Sequence, residues 1–163
     1  MKPILLTINH AYLFFGTTLY VGVLWALHFF WYPTWDTMTL DVVQDHFIVP
    51  TSEATDFFTI VVPLMFIASI VMIVQEWKKP LLWAGIVSLA CISAATYVGQ
   101  VLIIPINETI AAGGVEDQAT LSAMLKDWMY YNDVRWHIMN VMWAALMIYF
   151  VVKGEFLEAV DET

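Results

Sequence analysis

Near the start of the last apolar segment, Trp128-Met129-Tyr130-Tyr131-Asn132-Asp133-Val134-Arg135-Trp136-His137 carries amide, carboxylate, guanidinium and imidazole groups straight into a hydrophobic run. An ionisable group at the centre of a membrane span costs on the order of 2.5 to 3.5 kcal/mol on insertion scales, so such groups face protein or water and mark function by default. Helical spacing of three and four puts Trp128, Asn132, Arg135 and Met139 on one stripe and Asp133, His137 and Asn140 on the next. The expectation is that both stripes face the interior of a helix bundle. Arg135 would then present fixed N–H donors to a phenolate or carbonyl oxygen, and His137, in i,i+4 register with Asp133, could transfer a proton near neutral pH. The competing structural role is snorkelling of Arg135 to an interface with local pairing of Asp133.

A second candidate is Pro105-Ile106-Asn107-Glu108. Pro105 lacks a backbone donor and disfavours helical geometry at Ile104, which predicts a helix end or kink there, with Asn107 supplying partners to the freed groups or bonding Asn132 or Arg135. The histidines raise metal chemistry. His28, His46 and His137, with Glu53 and Asp56, fall toward one end of the chain's apolar segments, and imidazole and carboxylate suit iron, copper, zinc or haem. None of His-x-x-x-His, Glu-x-x-His or Cys-x-x-Cys occurs, so a metal or haem through His28, His46 and His137 would need convergence in space. His10 lies about 27 Å from His28 along one helix and cannot share a site with it.

Four apolar runs must position these groups: about 11–32, 57–75, 81–104 and 134–152. Each approaches or exceeds the 18 to 20 residues, roughly, needed to cross a hydrocarbon core of about 30 Å. The fold class is all-α, an integral membrane four-helix bundle forming a single transmembrane domain over residues 1–163, with 155–163 an acidic tail. The 163 residues are 61% hydrophobic, with mean hydropathy +0.73, and the connections are too short for a second folded unit. The net charge of -9 excludes nucleic acid as a partner and rests on that tail and two loops. The one cysteine, Cys91, cannot form an intrachain disulfide and reads as a small core residue. The first run is too long for a signal-peptide core and is expected to be retained.

Lys2, Lys78, Lys79 and Lys153 fall on one side of a four-span chain, which predicts cytoplasmic N and C termini and a plasma-membrane location. The short Glu76–Pro80 connection makes spans two and three antiparallel neighbours. Ala111-Ala112-Gly113-Gly114 reads as a flexible break and Thr120–Trp128 as a separate amphipathic surface helix. Trp25, Trp31, Trp35, Trp77, Trp128 and Trp136 read as interfacial belts.

Pro105-x-Asn107, followed by Trp128-x-x-x-Asn132-x-x-Arg135, resembles the pattern of the anthrone oxygenase-like four-span membrane proteins, a family largely labelled as a domain of unknown function. Gly16, Gly22 and Pro33 are similar to its first half. The resemblance implies oxidation of anthrones to anthraquinones, as for a few fungal members. The resulting expectation is an outer-side pocket bounded by His28, Glu53, Asn107, Trp128, Asn132, Arg135 and His137. It would bind or oxidise a lipophilic aromatic or quinone-like molecule, with His137, Arg135 and Asp133 in catalytic roles. The chain shows no flavin motif. The alternative is a non-catalytic accessory or scaffold subunit of a homo- or hetero-oligomeric membrane complex, packed through Gly16, Gly22, Ser69, Gly85 and Ser88. A transporter is third, since no internal repeat is present.

Overall fold

The computed structural model describes the backbone of residues 3–161 and the side chains of residues 4–154; the acidic tail therefore lies outside the described side chains. Four helices, α1 (Ile4–Trp35), α2 (Gln44–Gln75), α3 (Leu82–Ala111) and α4 (Gln118–Gly154), are long and apolar enough to cross a membrane. The chain is a multi-pass, all-α membrane protein. At 1.5 Å per residue the 32 residues of α1 and of α2 each span about 48 Å, well beyond a hydrocarbon core of about 30 Å. The helices thus outrun the apolar segments. The excess lies mostly at the end carrying the first and third loops, where α2 starts thirteen residues before Phe57 and α4 sixteen before Val134.

That extension corrects one expectation. Thr120–Trp128 is no separate surface helix but the opening turns of α4, and Asp117 starts it by accepting the Thr120 backbone N–H at 2.8 Å. The Thr120 hydrogen bonds hold the exposed Asp117 carboxyl below the ordinary carboxylate value. Ala111–Gly114 does lie at the break between α3 and α4. Gly114 N–H bonds Thr109 O at 3.0 Å and Gly113 N–H bonds Ile110 O at 3.1 Å, with Gly113 at φ 71°: the paired closure of a helix C-terminus that favours glycine.

Pro105 does not end α3. A π-helical turn, Gly99–Ile103, precedes it, so that Pro105 enters at the first turn of a new α-helical register, where a missing N–H breaks no bond. Matching π turns occur at Leu27–Trp31 in α1 and Gln44–Ile48 at the start of α2. Each inserts a residue and rotates the helical turns beyond it.

Each helix packs on its two neighbours in the order α1, α2, α3, α4 and back to α1. The apolar core has two parts. The larger, built on Leu13, Met65, Met72, Ile92, Met139 and Tyr149, fills the half nearer the termini. There α2 sits close: a Cβ added to Gly85 would meet Ile73 Cγ1 at 2.8 Å, and one added to Gly16 would meet Met65 Cγ at 3.1 Å. Ser69 and Ser88 are buried in the same half, each bonded to its own helix at i−4. The second part, at the opposite end, gathers Trp35, Phe47, Ile103, Leu121, Leu125 and Trp128 from all four helices. Trp35 and Trp128 are therefore not belt residues. They are 4% exposed and meet edge to face at 5.0 Å, with Phe47 against both.

Glu76 closes the terminal end. Only 1% exposed, it follows α2, accepts the Tyr149 hydroxyl at 3.0 Å, and pairs with Lys153 and Lys79. Burial pushes its carboxyl up, but the Lys153 and Tyr149 hydrogen bonds and the two ammonium charges outweigh that and hold it below the ordinary 4.5. The tight connection expected between the second and third spans is present, with Lys78 at φ 63° turning the chain.

Candidate functional site

Between the two cores the helices part and enclose a cavity of about 770 Å³. Its walls are mainly apolar, with Leu24, Leu27, Phe58, Phe66 and Ile103 among them. The π turns of α1 and α3 both contribute, through Leu27 and Trp31 and through Gly99, Gln100 and Ile103. On α2 the lining runs from Pro50 to Ile67, crossing Pro63, whose missing N–H leaves the Thr59 carbonyl without its helical donor.

One end of the cavity is polar. On α1, α3 and α4 the lining residues nearest the termini are Tyr20, Thr96 and Arg135, and Arg135 donates to the Tyr20 hydroxyl and, at 3.0 Å, to Asn132 Oδ1. Its guanidinium also lies 5.2 Å from the Tyr20 ring centre. Gly99 borders this arrangement, and a Cβ there would sit in ordinary van der Waals contact with the guanidinium carbon at 3.7 Å. Arg135 Nε and Thr96 Oγ1 are buried without a hydrogen-bond partner. Among the described residues no carboxylate lies within ion-pair distance of Arg135. Tyr20 stands about 23 Å from either end of α1, so Arg135 is held midway along the bundle, turned onto protein partners.

The other end is closed by amides. Trp128 Nε1 donates to Asn107 Oδ1 at 2.7 Å, while Asn132 Nδ2 bonds Trp128 O at 3.0 Å. Asn107 thus serves the indole, not carbonyls freed at Pro105. Asn107 lines the cavity together with Trp128, Asn132 and Arg135 of the first stripe, whose fourth member, Met139, is buried instead in the core nearer the termini.

The second stripe does not line the cavity. His137 is exposed and rests on Trp136 at 4.7 Å between ring centres, away from the cavity. Asp133 does not serve it: its Oδ1 lies 2.9 Å from His28 Nδ1. The His28 ring stacks on Trp136 at 4.9 Å and 7°, and Asn140 accepts the Trp25 indole at 3.2 Å. This polar seam runs between α1 and α4 outside the cavity wall. Glu53 is exposed on α2, and His28 and Glu53 do not line the cavity. His46, also exposed, lines a smaller depression with Trp31, Thr34 and Asp45. The three histidines do not converge, and among the described residues no group of three His, Cys, Asp or Glu side chains is placed to hold a metal.

Two cavity residues, Tyr20 and Thr96, went unnoticed in the sequence. Tyr20 reads there as one more apolar-segment aromatic, and only its hydroxyl's meeting with Arg135 across 115 positions gives it a role. The fold and site define a four-span membrane protein with a lipophilic cavity bearing one uncompensated cation. The chain matches no family model, no curated protein and no solved structure.

Proposed function

We propose that the protein binds a lipophilic small molecule inside the bilayer, with an oxygen-bearing head on Arg135 and an apolar body against α1, α2 and α3. The observation that carries this is Arg135 itself: a guanidinium midway along the bundle, with no carboxylate among the described residues to pair it, lining an apolar cavity large enough for a ligand. An aromatic or quinone-like body is what the resemblance to anthrone oxygenase-like proteins implies. Supporting that resemblance, all four of its polar and aromatic positions, Asn107, Trp128, Asn132 and Arg135, meet at this one cavity. An oxidation of the bound molecule would come from the same resemblance. His137 and Asp133 do not reach the cavity, so binding is the function that the geometry supports best.

The alternative accessory-subunit reading loses its main support. Gly16, Ser69, Gly85 and Ser88 are consumed in packing within the chain, leaving only Gly22 with open space around it. Orientation completes the proposal: Lys78, Lys79 and Lys153 gather at the end carrying the termini, which the positive-inside rule assigns to the cytoplasm of a plasma-membrane protein. Quinone quenching of tryptophan fluorescence in nanodiscs tests the site. Arg135→Gln is expected to weaken binding at least about tenfold, a loss near 1.4 kcal/mol, while His137→Gln leaves it unchanged. Equal loss in both variants, or in neither, would refute the assignment.

A further inference from the structure

The charge and shape of the cavity narrow its occupant. Arg135 brings a full positive charge midway along the bundle, and its protein partners, the Tyr20 hydroxyl and the Asn132 amide oxygen, supply dipoles only. Guanidinium stays protonated under all relevant conditions. The carboxylate two residues before it is engaged by His28 on the other side of α4. The hydroxyls of Thr51, Thr55 and Thr59 on the facing wall are each turned back onto a carbonyl of their own helix, so they add no counter-charge. At the polar end Arg135 Nε and Thr96 Oγ1 are buried without a hydrogen-bond partner in the protein. A neutral carbonyl would leave the charge uncompensated, whereas a carboxylate supplies the missing counter-charge.

Shape points the same way. The lining of α2 from Pro50 to Ile67 covers about 25 Å at 1.5 Å per residue, more than on any of the other three helices, so the cavity is drawn out along α2. That length suits an extended acyl chain. The cavity's mouth lies between α2 and α3, which touch at both ends, Gly85 on Ile73 at one and Gln44–Ile48 against Ile104–Ala111 at the other. Between those contacts Thr55, Thr59, Pro63 and Ile67 of α2 and Gln100 of α3 both line the cavity and are exposed, which marks a sideways opening between the two helices.

We propose that the occupant is a single-chain carboxylate amphiphile of the free fatty acid type, entering from the bilayer between α2 and α3 and placing its ionised head on Arg135 and Thr96. This rests on the reading of the cavity as a lipophile site and adds charge and chain shape to it. The test uses the full chain in nanodiscs with a naturally fluorescent long-chain polyene acid, the methyl ester of that acid, and a quinone. The acid is expected to bind at least about tenfold more tightly than the ester at neutral pH, a preference of one decade or more. Arg135→Gln should bring the acid down to the ester's affinity, Arg135→Lys should retain part of the preference, and Ala54→Phe, which fills the cavity, should weaken acid and ester together. Should Arg135→Gln fail to accumulate, the acid-to-ester ratio on the unaltered protein decides. Equal binding of acid and ester, both lost in Ala54→Phe, overturns the carboxylate while leaving the lipophile site intact, as does binding of the quinone alone. Absence of binding by all three probes, or binding that Ala54→Phe leaves unchanged, overturns both.

Discussion

Asn107 and Glu76 show what single polar side chains do at the two ends of this bundle. Asn107 accepts the indole proton of Trp128, which is otherwise packed among rings, so Asn107→Leu would leave a buried donor unpaired at a cost of about 1 to 3 kcal/mol. Adding Trp128→Phe removes that donor. Thermal unfolding of the double variant in detergent should therefore recover part of the loss, whereas additive losses would show that the bond contributes nothing. At the other end, Glu76 is held below its ordinary 4.5 by Lys153, Tyr149 and Lys79. Its folded state binds a proton less readily than the unfolded chain, so its contribution is complete above pH 4.5 and is lost as pH falls through the depressed folded value. Glu76→Gln has nothing to lose in that range. The melting temperatures of the two proteins should differ at pH 7 and converge toward pH 3, and a constant difference would contradict this assignment.

At the scale of the element, glycine acts through what faces it. Gly85 lies against both the side chain and the backbone of Ile73, with a would-be Cβ 3.0 Å from Ile73 N, while Gly16 faces the flexible thioether of Met65. Backbone cannot yield as a methionine can. Gly85→Ala is expected to separate α2 from α3 and destabilise by about 1 to 3 kcal/mol, Gly16→Ala by less, and Gly22→Ala, with nothing within 4 Å, by none. Melting temperatures of the three variants in one detergent check the order. The π turns belong to this scale too. Those in α1 and α3 line the cavity, and the extra residue in each rotates the next turns of its helix, which lets α3 pass Pro105 unbroken and bring Asn107 to Trp128.

For the whole molecule, close packing near the termini and a second core at the far end leave a chamber between them, and the proposed orientation turns the far end outward. With Cys91 replaced by alanine, a cysteine at Thr39 should react with a membrane-impermeant thiol reagent on intact cells, and one at Trp77 only after permeabilisation. The reverse pattern would invert the topology while leaving the cavity as described.

Segment hydropathy alone determined four membrane helices in an all-α fold, because about 20 apolar residues in a row have no other stable solution in water or lipid. The same spacing rule placed Trp128, Asn132 and Arg135 on one buried stripe, since helical periodicity is local. Helix ends were less legible. Polar turns such as Gln44–Asp56 and Gln118–Asp133 continue helices past the apolar runs because the second core packs them, and periodicity in one segment cannot report a partner in another. Tertiary structure alone decided which polar groups meet: Arg135 with Tyr20, Asp133 with His28, Glu76 with Lys153, and His137 with the exposed surface. A stripe fixes the direction of a side chain relative to its own helix, but the rotation of that helix against three others depends on packing, and here on π turns that no residue type announces.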